Sequence, residues 1–208
     1  MKKTLFLLFA GLLFQQSALA DEAKAEKDPL SYESRAAWTT RNEFFVFAGD
    51  YHGDSFENSL LAGGEYIFHF TKHIGAGATF VYSKADYKEN IYYSQAGFFT
   101  NDNVYAMDAT GMISFPSAYR IGKHTIEADL YVLLGGGTIN INSSYEPHGF
   151  IGGGMKIYAF KPWFAIRAEM RDTFHTTNKP GGVNEFDQDL LFNAGLSFQA
   201  PPKLALTR

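Results

Sequence analysis

Alternation with a period of two, repeated along most of the chain, constrains this sequence more than any other feature. In WFAIRAEMRDTF, residues 163–174, the side chains of Phe164, Ile166, Ala168 and Met170 are apolar, and Arg167, Glu169 and Arg171 fall between them. Side chains that return to one side every second residue define a β-strand with two unlike faces. Five further segments read the same way, at 74–84, 104–115, 124–136, 150–160 and 188–198. Two are less regular. Ile67 interrupts the alternation of 60–70, and the run Phe44-Phe45-Val46-Phe47 in 43–52 leaves its faces undecided. The expected strands number eight.

The connections set the architecture. They are expected at 53–59, 71–73, 85–103, 116–123, 137–149, 161–162 and 175–187, with 85–103 and 175–187 long and polar. Longer and shorter links roughly alternate, which suits an up-and-down meander with one decorated end. The expected fold class is all-β: an eight-stranded antiparallel up-and-down barrel, spanning about 42–199.

A soluble barrel packs its apolar faces inside and wets its polar faces, which then carry Lys, Glu and Asp at most positions. Here the polar faces carry mostly Gly, Ser, Thr, Ala and Asn with occasional charges, a composition fit for a crowded narrow lumen. The opposite faces carry Phe, Tyr, Leu, Ile and Met in strand after strand, as a lipid-facing belt does. A closed barrel also pairs every backbone group, which hydrocarbon demands. The pattern therefore predicts a transmembrane barrel whose charges point inward. The predicted interior set is Glu65, Asp108, Glu127, Asp129, Lys156, Arg167, Glu169 and Arg171, with His69 beside them. A simple register across 161–162 sets Lys156 opposite Arg167 and Glu169 diagonal to it, and a register across 137–149 can bring Asp129 near Lys156. Buried charges without partners cost several kcal/mol, so these groups are expected to pair and to plug the lumen.

Composition narrows the function classes. Twenty Phe, twenty Gly and a 19% share of charged residues exclude a disordered chain, and a net charge of −4 gives no footprint for nucleic acid. Without cysteine there is neither a disulfide framework nor a thiolate site. Lys2 and Lys3 followed by the apolar residues 5–14 and by Ala18-Leu19-Ala20 read as an export signal over 1–20. Residues 21–41 are charged and read as a periplasmic N-terminal segment, and 200–208 as a C-terminal tail.

The segment 43–198 resembles the small eight-stranded outer-membrane barrels, the group that includes OmpX and the OmpA transmembrane domain. NAGLSFQA, residues 193–200, is similar to the assembly signal at the end of such barrels through Asn193, Gly195 and Phe198, although Ala200 and the tail depart from it. The resemblance implies the outer membrane of a Gram-negative bacterium, contact with its lipids, and barrel-assembly machinery as a partner of the last strand.

Other chemistry is thin. GAGATF (75–80) and the Gly triplets 135–137 and 152–154 lack the strand–loop–helix setting of phosphate loops. The six histidines show no zinc spacing and read as rim or loop residues. Asp50, His52, Asp54, Ser55 and Glu57, with His148 and His175 at the same end, are loop groups whose chemistry could furnish a Ser–His–acid site or a weak Ca²⁺ site. The expectation is a non-enzymatic barrel, without cofactor or metal, acting through its long loops. A lipid-modifying enzyme and a narrow pore are the alternatives.

Overall fold

A computed structural model describes residues 41–53, 58–85, 102–121, 124–141, 144–161, 163–179 and 183–200. The export signal, most of the N-terminal segment and the tail beyond Ala200 lie outside the described residues. Eight strands follow one another: β1 (Arg41–His52), β2 (Ser59–His69), β3 (Ile74–Ala85), β4 (Asp102–Ile121), β5 (His124–Ile141), β6 (Ser144–Lys161), β7 (Phe164–Lys179) and β8 (Val183–Ala200). Each pairs antiparallel with its neighbour in sequence, and β8 closes on β1.

The strand register can be followed once around the wall. Phe45 is level with Glu65, then Thr79, Asp108, Gly137, His148, His175 and Asp187 on β8. Phe45 itself pairs with Ser197, so the circuit returns ten residues away from Asp187. A stagger of that size tilts the strands about 35–45° and leaves an interior that side chains can fill.

Three expected connections are strand instead. Residues 116–121, 137–141, 144–149, 175–179 and 183–187 belong to the barrel wall. Pro116 and Pro147 are poor strand residues, but each sits where pairing with one neighbouring strand has stopped. The β3–β4 pairing stops at Ile113, and the β6–β7 pairing stops at His148. A strand with one open edge tolerates proline. The remaining long connection, 86–101, lies outside the described residues. Arg41 and Ala200, assigned to the flanking segments, are wall residues of β1 and β8.

Outside and inside differ as the alternation predicts. Phe44, Val46, Met107, Ile113, Leu134, Ile166 and Leu196 are exposed on the outer face. Rings gather toward its two ends. Trp163 stacks on Phe198 and Phe44 meets Tyr66 near the chain termini, and Tyr82 meets Tyr105 near the far end. An apolar band between aromatic girdles is the outer surface of a membrane-spanning barrel. The interior is not uniformly polar. Phe45, Phe47, Tyr51, Leu61, Val81, Val104, Ile139 and Leu191 form one buried cluster, and Ile67, Met112, Tyr131, Leu133 and Phe150 a second. Ile67, which breaks the sequence pattern, is simply an apolar member of the inner face. Glycine makes room for these rings. A Cβ on Gly154 would fall 2.3 Å from the Tyr131 hydroxyl, and one on Gly63 would fall 2.5 Å from the Phe47 ring.

Charge placed on the belt should cost by depth. Met170→Arg, on the outer face near the middle of β7, is expected to lose about 2–4 kcal/mol of unfolding free energy, and Leu60→Arg, one residue inside the loop end of β2, about 0–1 kcal/mol. Denaturant unfolding from lipid vesicles measures both. Equal costs would contradict a lipid-facing belt.

Candidate functional site

The tilt of the strands brings β6 and β7 across the lumen from β1, β2 and β3, and the fully buried charges meet between them. Glu43 on β1 is the hub. Its Oε2 lies 2.6 Å from Lys156 Nζ and 2.6 Å from His69 Nε2, and its Oε1 lies 3.2 Å from Arg167 Nη1. Ser197 Oγ also donates to Oε1 at 2.8 Å. Glu65 on β2 pairs with Arg167 and, at 2.7 Å, with Arg171 Nη2. Glu169 takes Arg167 Nη2 and Arg171 Nε at 2.5 Å each. Thr79 donates to Glu65 at 2.8 Å, and Arg167 Nε donates to the Tyr131 hydroxyl at 2.7 Å.

Three cations, Lys156, Arg167 and Arg171, thus face three carboxylates, Glu43, Glu65 and Glu169, and their formal charges cancel. The ring faces complete the surroundings: Arg167 lies 4.2 Å from the Phe45 ring centre and 4.7 Å from that of Tyr131, and Arg171 lies 4.8 Å from that of Phe150. Arg167 and Lys156 are 0% exposed and Arg171 1%. The layer crosses the lumen from wall to wall.

All eight residues predicted as interior are buried inside the barrel, but they divide into separate groups. Glu65, Lys156, Arg167, Glu169 and Arg171 belong to the central layer. Lys156 is level with both Arg167 and Asp129, as the register argument expected. Its ammonium nevertheless reaches across to Glu43. Asp129 instead sits nearer the termini, 3.9 Å from Arg41 and accepting from the Tyr158 hydroxyl at 3.1 Å. Glu127 lies two residues further that way on β5. Asp108 stands on the other side of the layer, 2.7 Å from His148 Nε2. His69, placed inside by the alternation, is a partner of Glu43.

Sequence reasoning missed Glu43, because the apolar run after it hid which face it occupies. It also placed His148 and His175 on loops or rims. Both are buried wall residues of β6 and β7, level with one another and facing inward. His175 Nε2 lies 3.6 Å from Asp189, which also accepts from the Tyr51 hydroxyl at 2.5 Å. The alternation of 144–150 and 173–189, carried two or three residues past the presumed strand ends, holds the signal that would have found them. Of the rim cluster, Asp50 is exposed on the outer face and His52 contacts Asn58 Oδ1 at 2.8 Å. Asp54, Ser55 and Glu57 lie outside the described residues. Among the described residues no three His, Asp or Glu side chains are grouped to hold a metal ion.

No protein-family model matches the sequence. No curated protein matches it either. Solved structures similar to it include neisserial surface protein A, at 10% identity over 76% of this chain and 96% of that one, with a TM-score of 0.46. The N-terminal β-barrel domain of Pseudomonas aeruginosa OprF matches at 17% identity over 78% and 98%, with a TM-score of 0.37. Ail, the attachment invasion locus protein of Yersinia pestis, matches at 13% over 76% and 97%, with a TM-score of 0.34. These likenesses carry no residue's role to this chain.

Removing one partner from a buried ion pair strands the other. Glu43→Ala leaves Lys156 and Arg167 short of a carboxylate and is expected to cost about 3–5 kcal/mol. Asp50→Ala, seven residues along the same strand but on the outer face, should stay within about 0.5 kcal/mol. Denaturant unfolding in lipid vesicles compares the two. A Glu43 cost no greater than that of Asp50 would mean a solvated lumen.

Proposed function

We propose that the protein is a non-enzymatic barrel of the outer membrane of a Gram-negative bacterium, closed to passage and acting as a structural and surface-interaction element. The observation that carries this reading is the neutral, fully buried charge layer reaching from β6 and β7 to β1, β2 and β3. A lumen crossed by that layer offers no continuous water path, which disfavours the narrow pore.

Orientation follows from the connections. The end that carries both barrel termini has only short gaps between strands, at 70–73, 122–123 and 162–163, whereas the other end carries the two longest, 53–58 and 86–101, beside two short ones at 142–143 and 180–182. Outer-membrane barrels keep short turns on the periplasmic side and long loops outside. The surface role attaches to that outer end, although not through 175–187 as a loop. Beyond the pairing of His52 with Leu190, residues 183–189 of β8 continue with β7 alone, so this hairpin extends past β1. Phe186 on it and Tyr145 on β6 are 67% and 76% exposed, which suits contact with lipid headgroups or a partner. The lipid-enzyme reading finds less support, because His148 and His175 point into the lumen and away from any lipid chain.

Purified protein reconstituted in planar bilayers is expected to give no steady conductance. Stable, voltage-independent channel currents would overturn the closed-barrel reading.

A further inference from the structure

On the outer side of the charge layer the lumen holds a cavity of about 20 Å³. Much of its wall is apolar, from Val81, Val104, Ile139 and Leu191, but Asp108 on β4 and His148 on β6 line it too. Those two strands are not neighbours, since β5 runs between them. The β5 residue level with both is Gly137. A Cβ there would fall 2.8 Å from Asp108 Oδ1, so the missing side chain lets the carboxylate and the imidazole approach each other across the strand. Asp108 Oδ1 stands 2.7 Å from His148 Nε2.

Neither group is satisfied by that approach. The contact is not an aligned hydrogen bond, and Asp108 Oδ1 and His148 Nδ1 are both buried without a hydrogen-bond partner among the described residues. Their side chains are 4% and 2% exposed, so bulk solvent does not serve them either. Buried polar atoms left unpaired are costly, and the size of the cavity decides what can pair them. A water needs roughly 10–15 Å³ of such space and two to four polar neighbours, which leaves room here for one and for nothing larger. Thr173, also on the wall, brings a hydroxyl-bearing side chain as a third neighbour. Water suits His148 in either charge state. It donates to a bare Nδ1, accepts from a protonated one, and donates to the carboxylate in both cases. A metal ion does not suit the arrangement, because the described residues bring no three His, Asp or Glu ligands together.

We propose that this cavity is a binding site for a single, long-held water molecule, anchored by the Asp108 carboxylate with His148 and Thr173 as its further partners. The water joins β4, β6 and β7 beside the point where direct β6–β7 pairing ends, at His148 and His175. The site lies on the loop side of the charge layer and requires no passage through it. A dry cavity would therefore leave the closed barrel standing, and a conducting barrel would not by itself remove the water.

The test is oxygen-17 relaxation dispersion of the solvent around the full chain in detergent micelles. It counts water molecules held longer than the tumbling time of the complex and does not respond to exchanging hydroxyl protons. Ala106→Val and Val104→Ile each fill the cavity with methyl groups and leave Asp108, His148 and Thr173 in place. Each is expected to lower the count by about one water. Ala109→Val, on the outer face of β4, is expected to leave it unchanged. Folding of each variant is checked by the difference in gel mobility before and after boiling. The unmodified protein supplies a second measurement that needs no variant. Methyl groups of Val104 and Leu191 should show magnetic cross-relaxation to water with the sign of a long-lived contact. An unchanged count in a folded filling variant, an equal fall in Ala109→Val, or no such cross-relaxation would overturn the proposal.

Discussion

Hydrocarbon offers no partner to a backbone N–H or C=O, and the remaining features of this protein follow from that requirement. A sheet in lipid must close so that no edge is left, and β8 closes on β1 through eleven paired residues. Closure with eight strands and a ten-residue stagger makes the interior narrow. Every second side chain must then fit within it or against its wall. Glycines under Tyr131 and Phe47 show how little space remains.

A narrow interior in turn decides what its charges do. Arg167 and Lys156, with no exposure to solvent, persist because carboxylates from the facing wall reach them. The contacts couple strands far apart in sequence: Lys156 to Glu43, and Arg171 to Glu65. The layer therefore ties opposite walls of the barrel together while hydrogen bonds tie adjacent ones. An apolar cluster including Phe47, Leu61, Val81 and Leu191 lies against it toward the loops. Charged and apolar layers together fill the lumen, and this filling supports a closed rather than a conducting barrel.

Most of the wall was legible in the sequence because a period of two survives wherever the two faces differ. Strands β3, β7 and β8 show it directly, with Ile166 outward and Arg167 inward as the alternation requires. It failed where both faces are apolar. In β1, Phe45 and Phe47 point inward beside outward Phe44 and Val46, so Glu43 could not be assigned. Strand ends were hidden for a different reason. Pro116 and Pro147 are poor strand residues, but each lies where pairing to one neighbour has stopped and proline is tolerated, whereas the glycines of 135–137 are paired on both sides inside the wall. The partners of the buried charges were legible only in part. Adjacent-strand register follows from short turns, whereas Lys156 meeting Glu43 depends on the curvature of the closed barrel.

The central claim is that this barrel is inside-out relative to a soluble one, with its charges in the lumen and its aromatic and aliphatic side chains in lipid. A fluorophore placed singly at each position from 164 to 172 of β7, in reconstituted vesicles carrying a lipid-borne quencher, tests it most directly. Quenching should alternate, strong at 164, 166, 168 and 170 and weak at 165, 167, 169 and 171. Quenching without alternation, or a response only to a water-soluble quencher, would contradict the account.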